Sequence, residues 1–176
     1  MPIKPLDFKE TKGLLIRNWM THDALWYGEV AKQFGMAVAS PMNLRVCRQL
    51  GRIEFTRFMK AVGASAPKDF AFFRQLFEAG GKIFVPEFIT FSFEYREPNI
   101  QIFRVGDCFA HKGMEKTGVL SEYECGIFIR IEGWFDAMGL KYSRNQDLSR
   151  CLKYKGLECV ITYQMDTFAN PEEKNK

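Results

Sequence analysis

A chain of 176 residues, 47% hydrophobic and 26% charged, suits one soluble domain with a core of its own. Its net charge of +4, with no run of five basic residues, argues against a nucleic-acid partner. No apolar stretch approaches the roughly 20 residues that span a bilayer, and the opening "MPIKPLDFKETKG" holds no apolar signal region, so the expected location is the cytoplasm, with no membrane partner.

Seventeen Phe and an aromatic share of 15% predict a core built from rings. Five cysteines, an odd number in a reducing compartment, predict free thiols. Residues 1–169 read as a single domain, and the polar run from Asn170 to Lys176 as a frayed tail.

The first predicted helix runs from Thr11 to Gln33, with Leu15, Trp19, His22, Trp26 and Val30 forming one face. Ser40-Pro41 is a start signal, a serine N-cap followed by proline at the first helical position, for a second helix ending at Gly63. Pro67 opens a third, closed by Gly80-Gly81. "FITFSFEY" then alternates apolar and polar residues as a half-buried strand does, and "IQIFRV" is its antiparallel partner after the turn "REPN". A short helix over 109–116 follows. Ser121 and Glu124 form a capping box for a helix to Met138. The closing "DLSRCLKYKGLECVITYQMDTF" reads as a hairpin that sets Cys151 opposite Cys159. The predicted class is α+β, in the order ααα-ββ-αα-ββ, with helices covering a four-stranded antiparallel sheet.

The second half of the chain gathers Cys108, His111, Cys125, Cys151 and Cys159. Thiolate and imidazole are good ligands for zinc or iron, and Cys108 and His111 stand in a Cys-x-x-His spacing. No Cys-x-x-Cys accompanies it, so core packing of small thiols ranks first, a metal second and a reactive thiol third. Facing one another, Cys151 and Cys159 could pack, share a metal or form a labile disulfide.

On the helix from Ser121, Tyr123, Ile127, Ile131, Trp134 and Met138 make a core side. Cys125, Ile129, Glu132 and Asp136 fall opposite, which predicts either a solvated face or a second buried contact with Glu132 as a general base. His22, on an apolar stripe, reads as a hydrogen-bonded core histidine or a base lining a pocket, with Glu54 as its acidic partner. Arg45, Arg48 and Arg52 form a basic stripe that is either solvated or an anchor for a carboxylate ligand. The phosphate-loop, dinucleotide, zinc-protease, nucleophile-elbow and haem-attachment motifs are absent.

"HDALWY", "LGRIE", "EYECGIF", "EGWFDAMGL" and "CLKYKGLEC" together resemble a family of cytosolic proteins from anaerobic bacteria and archaea that has no established activity. More distantly, the second half is similar to the L-2-amino-thiazoline-4-carboxylic acid hydrolases, and the closing Cys-x7-Cys segment to 4-vinyl-reductase-type small-molecule-binding domains. The hydrolase resemblance implies an activated water near Cys108, His111 or Glu132 and a substrate carboxylate held by arginine. Two functions follow as expectations. One is a small-molecule-binding protein with a metal-loaded Cys/His pocket, extending to hydrolysis of a carboxylated heterocycle. The other is a non-enzymatic sensing or interaction domain, a homodimer among its forms, with a structural metal or a plain cysteine core.

Overall fold

A computed structural model describes residues 3–168; the tail 170–176 lies outside the described residues. The fold is α+β in the expected order: α1 (Phe8–Phe34), α2 (Met36–Ala61), α3 (Phe70–Phe84), β1 (Phe91–Arg96), β2 (Ile100–Val105), α4 (Phe109–Lys116), α5 (Gly126–Ala137), β3 (Ser143–Arg144) and β4 (Val160–Gln164). The four strands form one antiparallel sheet in the order β1-β2-β4-β3. Among the described residues no helix is long and apolar enough to cross a membrane.

A capping box starts α1. The Asp7 carboxylate accepts from the Glu10 N–H at 2.7 Å, and the Glu10 carboxylate accepts from the Asp7 N–H at 3.0 Å. The helix buries no residue fully, and the expected core face is inward only in part: Val30 is half-buried and Trp19 lines the space beneath the helix, but Leu15, His22 and Trp26 are exposed. The inner face is Ile16, Met20, Asp23, Tyr27 and Val30, a neighbouring stripe with nearly the same spacing. Two apolar stripes run along this helix, so periodicity alone could not choose between them.

Gly35, at φ +79°, turns the chain directly into α2. That helix begins at Met36, ahead of the expected Ser40-Pro41 start, and carries Pro41 within it. The Ser40 hydroxyl is instead buried 3.1 Å from the Tyr27 hydroxyl, joining α2 to α1. Likewise α3 is capped by Asp69, which accepts from the Phe72 N–H at 2.8 Å, and it runs through Gly80-Gly81 rather than ending there. A Cβ on residue 80 would stand 2.5 Å from the Phe55 ring, so Gly80 serves close packing.

The Ser121–Glu124 capping box does not open α5, which starts at Gly126. Residues 123–125 are extended because their backbone groups bond to the loop beyond β3: the Cys151 N–H donates to the Tyr123 carbonyl and the Cys125 N–H to the Leu148 carbonyl. The closing hairpin is also replaced. Between Cys151 and Cys159 the chain makes successive turns, with Lys155 N–H bonded to the Cys151 carbonyl and Leu157 N–H to the Leu152 carbonyl. β4 pairs with β2 and β3 instead.

The core is aromatic, as the composition predicts. Phe55 stacks on Trp134 at 5.2 Å, Phe77 meets the same indole edge-on at 5.3 Å, and Phe93 packs on Phe103 at 4.8 Å. Such pairs each add about 0.5–1.5 kcal/mol beyond burial. α2 and α5 cross in backbone contact. A Cβ at Gly51 would stand 2.0 Å from the Arg130 carbonyl oxygen, and one at Gly133 would stand 2.3 Å from that of Arg48. This crossing fixes α5 between α2 and the sheet, and it aims Ile127, Arg130, Ile131 and Trp134 at the space under α1.

Candidate functional site

That space is a cavity of about 160 Å³. Its walls are mostly aromatic and aliphatic: Trp19, Met20 and Tyr27 from α1, Leu50 from α2, Phe91, Phe103 and Val105 from the sheet, Phe109 and Met114 from α4, and Ile127 and Trp134 from α5. A void of ~150 Å³ lined by apolar side chains admits a benzene-sized molecule. A wider groove of about 730 Å³ adjoins it, and Met20, Ala24, Tyr27, Phe109 and Met114 line both. The approach therefore lies between α1 and α4, past two flexible methionines.

Few polar side chains reach the cavity. Arg130 is one, and its guanidinium is held: Nε donates to Glu54 Oε1 at 2.7 Å and Nη2 to Glu54 Oε2 at 2.6 Å. The same carboxylate accepts from Trp134 Nε1 at 2.6 Å, and the guanidinium lies 4.9 Å from the centre of the Trp19 ring. Asn43 and Cys47 of α2 also face in, with the Cys47 thiol 3.6 Å from Asn43 Oδ1. Burial pushes the Cys47 thiol up to about 12, and the neighbouring Asp23 charge adds to the rise. Asp23 itself is half-buried. Burial raises its carboxyl above the ordinary aspartate value, while Arg130 and His22 pull it back. No hydrogen bond is among the influences on that carboxyl, and among the described residues it forms no ion pair.

Behind one wall lies a second, nearly closed cavity of about 10 Å³, room for a single water. Cys108, His111, Cys125, Cys151 and Cys159 all line it, so the fold brings the five sequence-distant donors around one void. Cys108 ends the segment after β2, His111 sits on the first turn of α4, Cys125 caps α5, and the other two flank the turns before β4. The Cys151 thiol is 3.6 Å from His111 Nδ1. All four cysteines are free thiols. Burial raises the thiols of Cys108 and Cys125, and pushes that of Cys159 up to about 12. Among the described residues no three His, Cys, Asp or Glu side chains are grouped so as to hold a metal ion. The donor set is thus chemically suited to a thiophilic ion, but its side chains surround a void and do not converge on one point. Tyr123, Ile127, Val105 and Ala110 line both cavities and form the partition.

The other expected site residues stand apart. Glu132 is buried at 1% exposure between Arg144, which donates to Oε1, and Arg48, 3.6 Å from Oε2. It lines neither cavity. Arg48 forms a bidentate pair with Asp136 at 2.7 and 2.9 Å, which holds its guanidinium charged. Arg45 and Arg52 are exposed, and none of the three arginines faces the cavity. Glu54 is buried as expected, but its partners are Arg130 and Trp134, and His22 is exposed. Sequence reasoning missed Asp23, Asn43, Cys47 and Arg130. The one available signal was Asp23, a charge set on the inner stripe between Met20 and Tyr27. No family model, curated protein or solved structure matches this chain.

Proposed function

We propose that this protein is a cytoplasmic binding domain for a small, largely apolar molecule. The observation that carries this reading is the 160 Å³ aromatic-walled cavity, with a handful of polar groups and an approach groove, under α1. It is also the function implied by the resemblance to 4-vinyl-reductase-type domains. Hydrolysis of a carboxylated heterocycle is the weaker reading, because Glu132 and the Arg45, Arg48, Arg52 stripe lie outside the cavity.

The test is a panel of single-ring compounds screened by thermal unfolding, with Ala24→Phe as the blocked control, since Ala24 lines both cavity and groove. A ligand at about 100 times its Kd stabilises by about 2.7 kcal/mol, which appears as a Tm rise of a few degrees. The rise is expected in the wild type and lost in Ala24→Phe.

A metal in the neighbouring cluster belongs to the same reading. Up to four of Cys108, Cys125, Cys151, Cys159 and His111 would hold zinc or iron once their side chains turned inward to converge on the void, and the ion would then cross-link the 151–159 turns, α4 and α5. Elemental analysis of untagged protein purified without oxygen is expected to find about one equivalent, lost in Cys108→Ser and Cys151→Ser together with thermal stability. Metal-free wild-type protein with an unchanged Tm in both variants would reduce the cluster to core packing.

A further inference from the structure

The cavity's charges point to the kind of molecule it takes. Two charged side chains line it, Asp23 and Arg130, and Glu54 stands behind Arg130 as its ion-pair partner. Arg130 and Glu54 neutralise each other through two short hydrogen bonds. This spends the guanidinium on an internal partner and leaves it poorly placed to anchor a ligand carboxylate. Asp23 is left over. It lines the cavity beside Cys47 and Arg130, among the rings of Trp19, Tyr27 and Tyr123, with no hydrogen bond or ion pair among the described residues.

A half-buried carboxylate without a partner is costly in an apolar site, and a neutral ligand that displaced its remaining water would raise that cost. An anionic ligand would add repulsion. A protonated amine removes the cost, donates a charge-assisted hydrogen bond and is attracted to the faces of surrounding aromatic rings. We propose that the ligand is a small organic amine, a single ring or a chain of comparable bulk bearing one ammonium group, with Asp23 as its counter-ion. This rests on the cavity being a binding site at all.

Benzylamine, benzyl alcohol and benzoate share one ring and differ in the group offered to Asp23. Isothermal titration of each into the full chain, wild type and Asp23→Asn, separates the two claims. Benzylamine is expected to bind at least about tenfold more tightly than benzyl alcohol, with benzoate weakest, since charge-assisted bonds exceed neutral ones by that order. Asp23→Asn is expected to erase the amine's advantage, bringing benzylamine to or below the affinity of benzyl alcohol for the same variant. Benzyl alcohol or benzoate binding as tightly as benzylamine to the wild type would overturn the amine assignment and leave the cavity reading intact. So would an amine preference that survives in Asp23→Asn. Binding of none of the three at millimolar concentration would overturn both. The wild-type comparison alone decides the matter if the variant does not fold.

Discussion

Glu54 shows how much of this molecule hangs on single buried polar groups. One carboxylate ties Arg130 and Trp134 of α5 to α2, and Arg130 in turn rests on Trp19 of α1. Removing one partner of a buried pair leaves the other uncompensated, at a cost of about 3–5 kcal/mol when burial is complete. The Arg130 side chain keeps 19% exposure, so we expect Glu54→Gln to lose less, about 2–3 kcal/mol in urea unfolding. The same variant frees Arg130 and should loosen α1, seen as faster amide exchange around Trp19. Cys47 provides a pH signature. Its thiol is ordinary in the unfolded chain and pushed up to about 12 when folded, so the folded state favours the neutral form. That stability is fully present below the unfolded value near 9 and is lost as pH rises towards 12. Between those limits, stability should fall less steeply with pH in Cys47→Ala than in the wild type. Equal slopes would mean that the thiol is not buried as described.

At the scale of elements, the α2–α5 crossing carries the architecture. Gly51 and Gly133 let two backbones touch, and either Cβ would meet a carbonyl oxygen or backbone nitrogen that cannot rotate away. Gly133→Ala should cost about 3 kcal/mol, the upper part of the range for overpacking, or abolish folding. Gly28→Ala on α1 has nothing within 4 Å to meet and should be neutral or stabilising. The class and the order of elements were legible because β1 alternates cleanly, a turn joins it to β2, and most helices have strong stops. The boundaries failed where tertiary contacts outbid local signals. The Ser121–Glu124 box lost to the backbone pairing of residues 123–125 with residues 148–151. The Gly80-Gly81 stop lost to the Phe55 ring. That Cys108, His111, Cys125, Cys151 and Cys159 share one void followed from no local signal, since the hairpin expected to pair Cys151 with Cys159 does not form. Asp23 and Arg130 were not read as site residues, since which stripe of α1 faces inward depends on α2 and α5, far along the chain.

In the whole molecule, the two cavities share the partition of Tyr123, Ile127, Val105 and Ala110, so order in the thiol cluster sets one wall of the larger cavity. α1 forms the opposite wall and is held mainly by its contacts with α2, by Trp19 on Arg130 and by the Tyr27–Ser40 contact. On the proposed reading a ligand would sit between the α2–α5–sheet core and α1, a helix that buries no residue fully. Binding should draw α1 inward and order it. The central claim, that the space under α1 is a binding site, is tested most directly by titrating benzyl alcohol into protein with labelled methyl groups and following them by NMR. The account predicts saturating shifts at Met20, Met114, Ile127 and Ile131, with Leu76 and Leu148 unmoved. Shifts confined to the exposed Leu15 and Leu25 methyls, or none that saturate at the cavity methyls, would contradict it.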